Sequence, residues 1–181
     1  MGPSRFPDGA ERRGGVEIRA AGRRLEGYAA TFGTEARIGG FVEVIQPGAF
    51  RASLAGGKDV IALVDHDPTR LLARTASGSL RLTEDARGLS FSIDVPDTQL
   101  GHDILALAIR GDIGGMSFGF RTKDEAWPTT LRRELRAVDL IEISVVQSFP
   151  AYSQTTVSAR ARQIGHNEAA ARIRRMILET L

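Results

Sequence analysis

Gly114-Gly115-Met116-Ser117-Phe118-Gly119-Phe120 surrounds one serine with glycines and large apolar residues. Glycine on both sides lets the backbone turn sharply and lets other groups come close. Met116, Phe118 and Phe120 alternate with small residues, so the segment reads as a tight turn entering a buried strand. A serine in this setting is either a small filler in a crowded core or a nucleophile held rigidly. The choice depends on whether the chain supplies a base and a group to orient it.

Working outward, residues 89–95 alternate strictly and form the clearest half-buried strand, which Pro96 stops. Asp97 or Thr98 then caps a helix with Ile104, Leu105, Ala108 and Ile109 on its apolar face, ending near Gly111. After the serine stretch come strands at 118–122, 134–138 and 140–146, the last almost wholly apolar around Glu142. Nearer the N-terminus, 16–18 and 25–32 form a hairpin about Ala21-Gly22-Arg23, and 41–45 is a strand closed by Pro47-Gly48. A short helical turn at 49–54 leads to a buried strand at 60–64, which ends in Asp65-His66-Asp67-Pro68. Segments 71–75 and 79–83 read as the arms of another hairpin, across Ala76-Ser77-Gly78.

Residues 1–15, rich in Gly, Pro and Arg, read as a disordered arm, and 161–181 as a helical tail with Ile173, Ile177 and Leu181 on one face. Many short strands with few helices predict a mainly β fold over 16–160, a closed or nearly closed β-barrel with surrounding helices. The 181 residues suffice for a core without metal or disulfide staples. With no cysteine, disulfides, thiolate chemistry and cysteine-based zinc sites are excluded. A net charge of only +2 argues against a dedicated nucleic-acid binder. No apolar run is long enough for a membrane helix, and residues 1–15 carry arginines without the apolar core of a secretory signal, so an intracellular, soluble protein is expected.

Gly115-Met116-Ser117-Phe118-Gly119 matches G-x-S-x-G, but the nucleophile elbow of that motif runs from strand to helix. Here a helix precedes and a strand follows, and the only later histidine, His166, lies in a polar tail. The base must therefore lie upstream. His102, early in its helix, reads as a solvated surface residue. His66 stands where a buried strand opens into a loop, a common place for a catalytic group. It reads equally as a turn histidine held by Asp65 or Asp67. A metal bound by Asp65-His66-Asp67 is the poorer reading, since adjacent residues seldom converge on one ion.

Glu142 is a carboxylate inside an apolar strand and so requires a partner. That partner is an arginine in a plain ion pair, or an imidazole whose tautomer the carboxylate fixes. Period-two geometry puts Leu140, Glu142 and Ser144 on one face. Singly, Ser117, His66 and Glu142 each have a structural explanation; together their order is compatible with a triad.

The chain resembles the prohead (capsid maturation) proteases of tailed phages, relatives of herpesvirus assemblins, from about Gly27 to Ser158. The resemblance is carried by Gly27-Tyr28-Ala29 with Phe32, by Glu43 leading to Pro47-Gly48-Ala49-Phe50, and by His66-Asp67. It continues through Glu84-Asp85 with Gly88-Leu89, residues 114–120, Glu142-Ile143-Ser144-Val145-Val146 and Pro150-Ala151-Tyr152. It implies a serine endopeptidase with Ser117 as nucleophile, His66 as general base and Glu142 as orienting acid. Assemblins carry a second histidine as third member; a glutamate fits the phage branch.

The resemblance further implies an enzyme without cofactor or metal, acting in the host cytoplasm inside the immature capsid. Its substrates would be scaffold or the N-terminal segment of the major capsid protein, with self-cleavage and a homo-oligomer, a dimer being one form of it, also implied. No membrane or specific nucleic acid is expected as partner. Arg121, just behind the serine, reads as a structural ion pair rather than a catalytic aid. The competing reading is an inactive capsid-assembly or scaffold protein on the same fold.

Overall fold

The apolar runs and alternating segments become strands in a computed structural model, which describes residues 11–14 and 18–147. In chain order they are β1 (Glu11–Gly14), β2 (Ile18–Ala21), β3 (Arg24–Thr31), β4 (Glu35–Ile38), β5 (Phe41–Ile45), α1 (Arg51–Ala55) and β6 (Ile61–Val64). Then follow β7 (Asp67–Arg74), β8 (Leu80–Glu84), β9 (Gly88–Asp94), α2 (Gln99–Arg110), β10 (Gly115–Thr129) and β11 (Arg132–Val146). Residues 16 and 17 of the expected hairpin arm, the 161–181 tail and His166 lie outside the described residues.

One antiparallel sheet has the order β2-β3-β9-β8. The other is built around β11: β10 pairs antiparallel with one edge, while β5 and β6 run parallel along separate stretches of the other. Beyond these lie β1 on β10, β4 on β5 and β7 on β6. The result is β-rich, as expected, but neither sheet closes into a barrel. Leu25, Phe91 and Ile93 of one sheet and Met116, Phe118, Phe120, Ile143 and Val145 of the other share one buried cluster. Two facing sheets and a barrel both bury every second residue, so alternation alone does not separate them.

Several local expectations hold. Thr98 caps α2, its hydroxyl accepting from the Gly101 amide at 3.2 Å, and Gly111 ends the helix at φ 78°. The β2–β3 hairpin closes with Ala21 opposite Arg24. Others fail for tertiary reasons. Strands at 71–75 and 79–83 do not form a hairpin: β7 pairs with β6 and β8 with β9, the polar turn serving as a crossing between sheets. The stretches 134–138 and 140–146 are one long strand, β11. Ile109, assigned to the apolar face of α2, is 73% exposed. Within the arm expected to be disordered, Glu11–Gly14 is a strand paired with β10.

Candidate active site

Met116, Phe118 and Phe120 are buried on one face of β10, with the Phe118 ring 5.2 Å from Phe120 and 5.5 Å from Phe50. The pleat therefore turns Ser117 and Gly119 to the other face. Ser117 stands opposite Ser144 and Gly119 opposite Glu142, and opposed residues of an antiparallel pair share a face. The next pair is Phe120 with Leu140, so Ile141 is an extra residue in β11. This bulge corrects the expected face: Leu140 joins the core side, and only Glu142 and Ser144 lie with Ser117.

The β6–β7 hairpin brings the histidine to this face. Val64 pairs with Asp67, leaving Asp65 and His66 as a two-residue turn with φ of 50° and 59°. Two consecutive positive φ values mark the primed turns that suit tight hairpins, at a steric cost for residues with a Cβ. Anchors on β11 hold the turn in place. The Asp65 amide donates to the Val145 carbonyl at 2.9 Å, the Gln147 amide to Asp65 Oδ1 at 2.9 Å, and the His66 amide to Ser144 Oγ at 2.8 Å.

The His66 ring then places Nδ1 2.7 Å from Glu142 Oε1. Arg12 Nε reaches the same oxygen at 3.3 Å, so the arginine partner and the imidazole partner are both present. Glu142 is 1% exposed, and its buried Oε2 has no hydrogen bond among the described residues. The Ser117 hydroxyl, 3% exposed, donates to the Arg13 carbonyl at 2.6 Å rather than to His66. The structure thus joins His66 to Glu142 directly and puts Ser117 on their face, with its hydroxyl engaged by β1. His102 pairs with Asp97 at the start of α2, 2.7 Å from its Oδ1, and Arg121 is exposed.

Gly119 makes room for the carboxylate. A Cβ built there would lie 2.7 Å from Glu142 Cγ and 2.8 Å from Oε1, closer than real contacts allow. Gly119→Ala should push the carboxylate off the imidazole. Peptide-cleavage assays should then show a loss of about 10²-fold, the scale on which small misplacements act. An alanine variant at wild-type activity would mean that the position of Glu142 is immaterial.

Sequence reading missed β1 and the charges that clamp it. Arg13 meets both oxygens of Glu43, through Nε to Oε1 and through Nη2 to Oε2 at 2.7 Å, while Arg133 Nη1 donates to Glu43 Oε2 at 2.9 Å. Glu11 takes Arg133 and Arg13 at 2.6 and 2.8 Å and the Thr122 hydroxyl at 2.6 Å. Four residues are too few for a period, and only the charge order Glu11-Arg12-Arg13 hinted at partners. Burial works to raise the Glu11 pKa, but the Arg133 and Thr122 hydrogen bonds and the Arg13 charge outweigh it and hold it at about 2, against an ordinary 4.5.

A carboxylate depressed in the folded state stabilises fully above its unfolded value and ceases to do so as pH falls through its folded one. The stability advantage of the wild type over Glu11→Gln should therefore shrink as pH drops from 4.5 towards about 2. Denaturant midpoints of both proteins across that range measure it. A difference independent of pH would show that Glu11 does not titrate this way.

An imidazole held by a carboxylate and set near a serine recurs in serine proteases on several unrelated folds. The family agrees with that class. Residues 15–170 match the family described as caudovirus prohead serine protease, and the chain belongs to it. It is a serine protease of phage capsid maturation, a group that acts inside the procapsid. Neither the curated proteins nor the solved structures contain a match. No helix among the described residues is long and apolar enough to cross a membrane.

Proposed function

We propose that this chain is an endopeptidase that cleaves scaffold or the N-terminal segment of the major capsid protein through an acyl-enzyme on Ser117. The observation that carries the reading is the 2.7 Å contact of His66 Nδ1 with buried Glu142, on the face that holds Ser117. A proton on Nδ1, directed at the carboxylate, leaves Nε2 as the acceptor for the Ser117 proton. Glu142 steadies the imidazolium that forms during attack on the peptide carbonyl. The protonated ring then gives its proton to the leaving amine, and water releases the acyl group by the same route. Backbone amides hold the oxyanion, each contributing about 3 kcal/mol to the barrier reduction.

One observation favours the inactive assembly protein instead: the Ser117 hydroxyl is bonded to Arg13 and not to His66. A single experiment separates the two readings. Incubation with the cognate capsid protein and scaffold, followed by mass mapping of new termini, should yield discrete cuts, and a fluorophosphonate should add to Ser117. Intact substrates and an unlabelled serine would leave the assembly role.

A further inference from the structure

β1 consists of 4 residues that precede the family-matched stretch 15–170, yet it takes a place in the sheet beside the candidate nucleophile. It lies antiparallel on the edge of β10, with Gly14 opposite Ser117, Arg13 opposite Phe118 and Glu11 opposite Phe120. The Ser117 hydroxyl touches the Arg13 carbonyl oxygen at 2.6 Å. That oxygen is one bond, about 1.2 Å, from the carbon a serine would attack. The Arg13–Gly14 peptide is thus set against the hydroxyl.

The Arg13 side chain turns to the face opposite Ser117, where Glu43 takes its guanidinium by two nitrogens and the Phe120 ring centroid lies 5.5 Å from Cζ. Glu43 is 2% exposed, and a buried carboxylate that meets a guanidinium on both oxygens discriminates by geometry as well as by charge. Beyond the peptide bond, a Cβ on Gly14 would meet Ser117 Cβ at 3.6 Å and Oγ at 3.7 Å, ordinary contacts that admit a small side chain. If Arg13 leaves, Glu43 keeps Arg133, and Glu142 keeps His66. Departure of β1 therefore strands neither carboxylate.

Resting on the assignment of Ser117 as nucleophile, we propose that β1 occupies the place of the substrate. The substrate is an extended segment with an arginine immediately before the cut, and Glu43 is the specificity residue that receives it. Such a segment adds to the β10 edge as an antiparallel strand after displacing β1. Ser117 Oγ then bonds to the arginine carbonyl carbon, the C–N bond breaks, and the next residue leaves as the amine with the proton. Water returns Ser117 and frees the arginine carboxylate.

The test uses the wild-type full chain, fluorophosphonate labelling of Ser117, and synthetic peptides with the sequence of residues 8–17 carrying Arg, Gln or Glu at position 13. The arginine peptide should protect Ser117 at a concentration at least about tenfold lower than the glutamine peptide, the scale of one buried charge left unpaired, with glutamate weaker still. Glu43→Gln should level the three. Arg13→Gln in the full chain should label at least about tenfold faster than wild type, because the competing strand is loosened. Equal protection by all three peptides, or an Arg13→Gln chain that labels at the wild-type rate, overturns the inference alone. A chain that labels at Ser117 under none of these conditions overturns the nucleophile assignment, and this inference with it.

Discussion

Ser117→Ala reduces cleavage of the capsid protein by about 10³-fold or more while the chain stays folded. The expected size follows from other serine proteases, where removal of the nucleophile leaves only the rate supplied by binding and oxyanion stabilisation. The folded state should tolerate the change. Ser117 is nearly fully buried and loses one hydroxyl, and Ala fills almost the same space. What disappears is the 2.6 Å bond to the Arg13 carbonyl, worth about 1 kcal/mol in net stability. A large loss of activity with a small shift in unfolding midpoint therefore separates chemistry from packing. Capsid protein cut by the alanine variant at the wild-type rate would place the nucleophile elsewhere.

Glu142→Gln is expected to cost about 10⁴-fold in kcat, the size of effect seen when the orienting carboxylate of a triad becomes an amide. The amide can offer its N–H to Nδ1 and so favour the tautomer with the proton on Nε2. That nitrogen then cannot accept the Ser117 proton. Arg12 loses its carboxylate at the same time, so stability also changes and activity alone would be ambiguous. Denaturant midpoints of the variant resolve this, because a loss of rate far out of proportion to the loss of stability belongs to the chemistry, whereas simple loosening would lower both together. Partial recovery in Glu142→Asp would strengthen the assignment. A glutamine variant within about tenfold of wild type would make Glu142 a structural ion pair.

Both predictions depend on groups that meet through different kinds of information. Ser117 could be singled out from its glycines and alternating neighbours, and Glu142 from being a charge in an apolar run. His66 was one of only three histidines. All three stood out as candidates because each residue type is unusual in its own local setting. The bulge at Ile141 was not legible, since it depends on how β11 pairs with β10, and it moved Leu140 to the core side. Ser144 passed as an ordinary strand residue, though its hydroxyl holds the His66 turn at 2.8 Å.

By itself the sequence determined strands at 60–64 and 89–95, which the structure has within a residue at 61–64 and 88–94, a helix cap at Asp97 or Thr98, and the Gly111 stop. These follow from backbone preferences and side-chain period within a few residues of chain. Only the tertiary structure decided that two open sheets face each other instead of closing, that 71–75 and 79–83 part company, and that β1 lies against the serine. Arg12 reaches Glu142 across 130 positions of sequence and Ser117 reaches Arg13 across 104. Contacts of that span are set by the packing of the whole β surface, and no local pattern of dihedral or hydropathy encodes them.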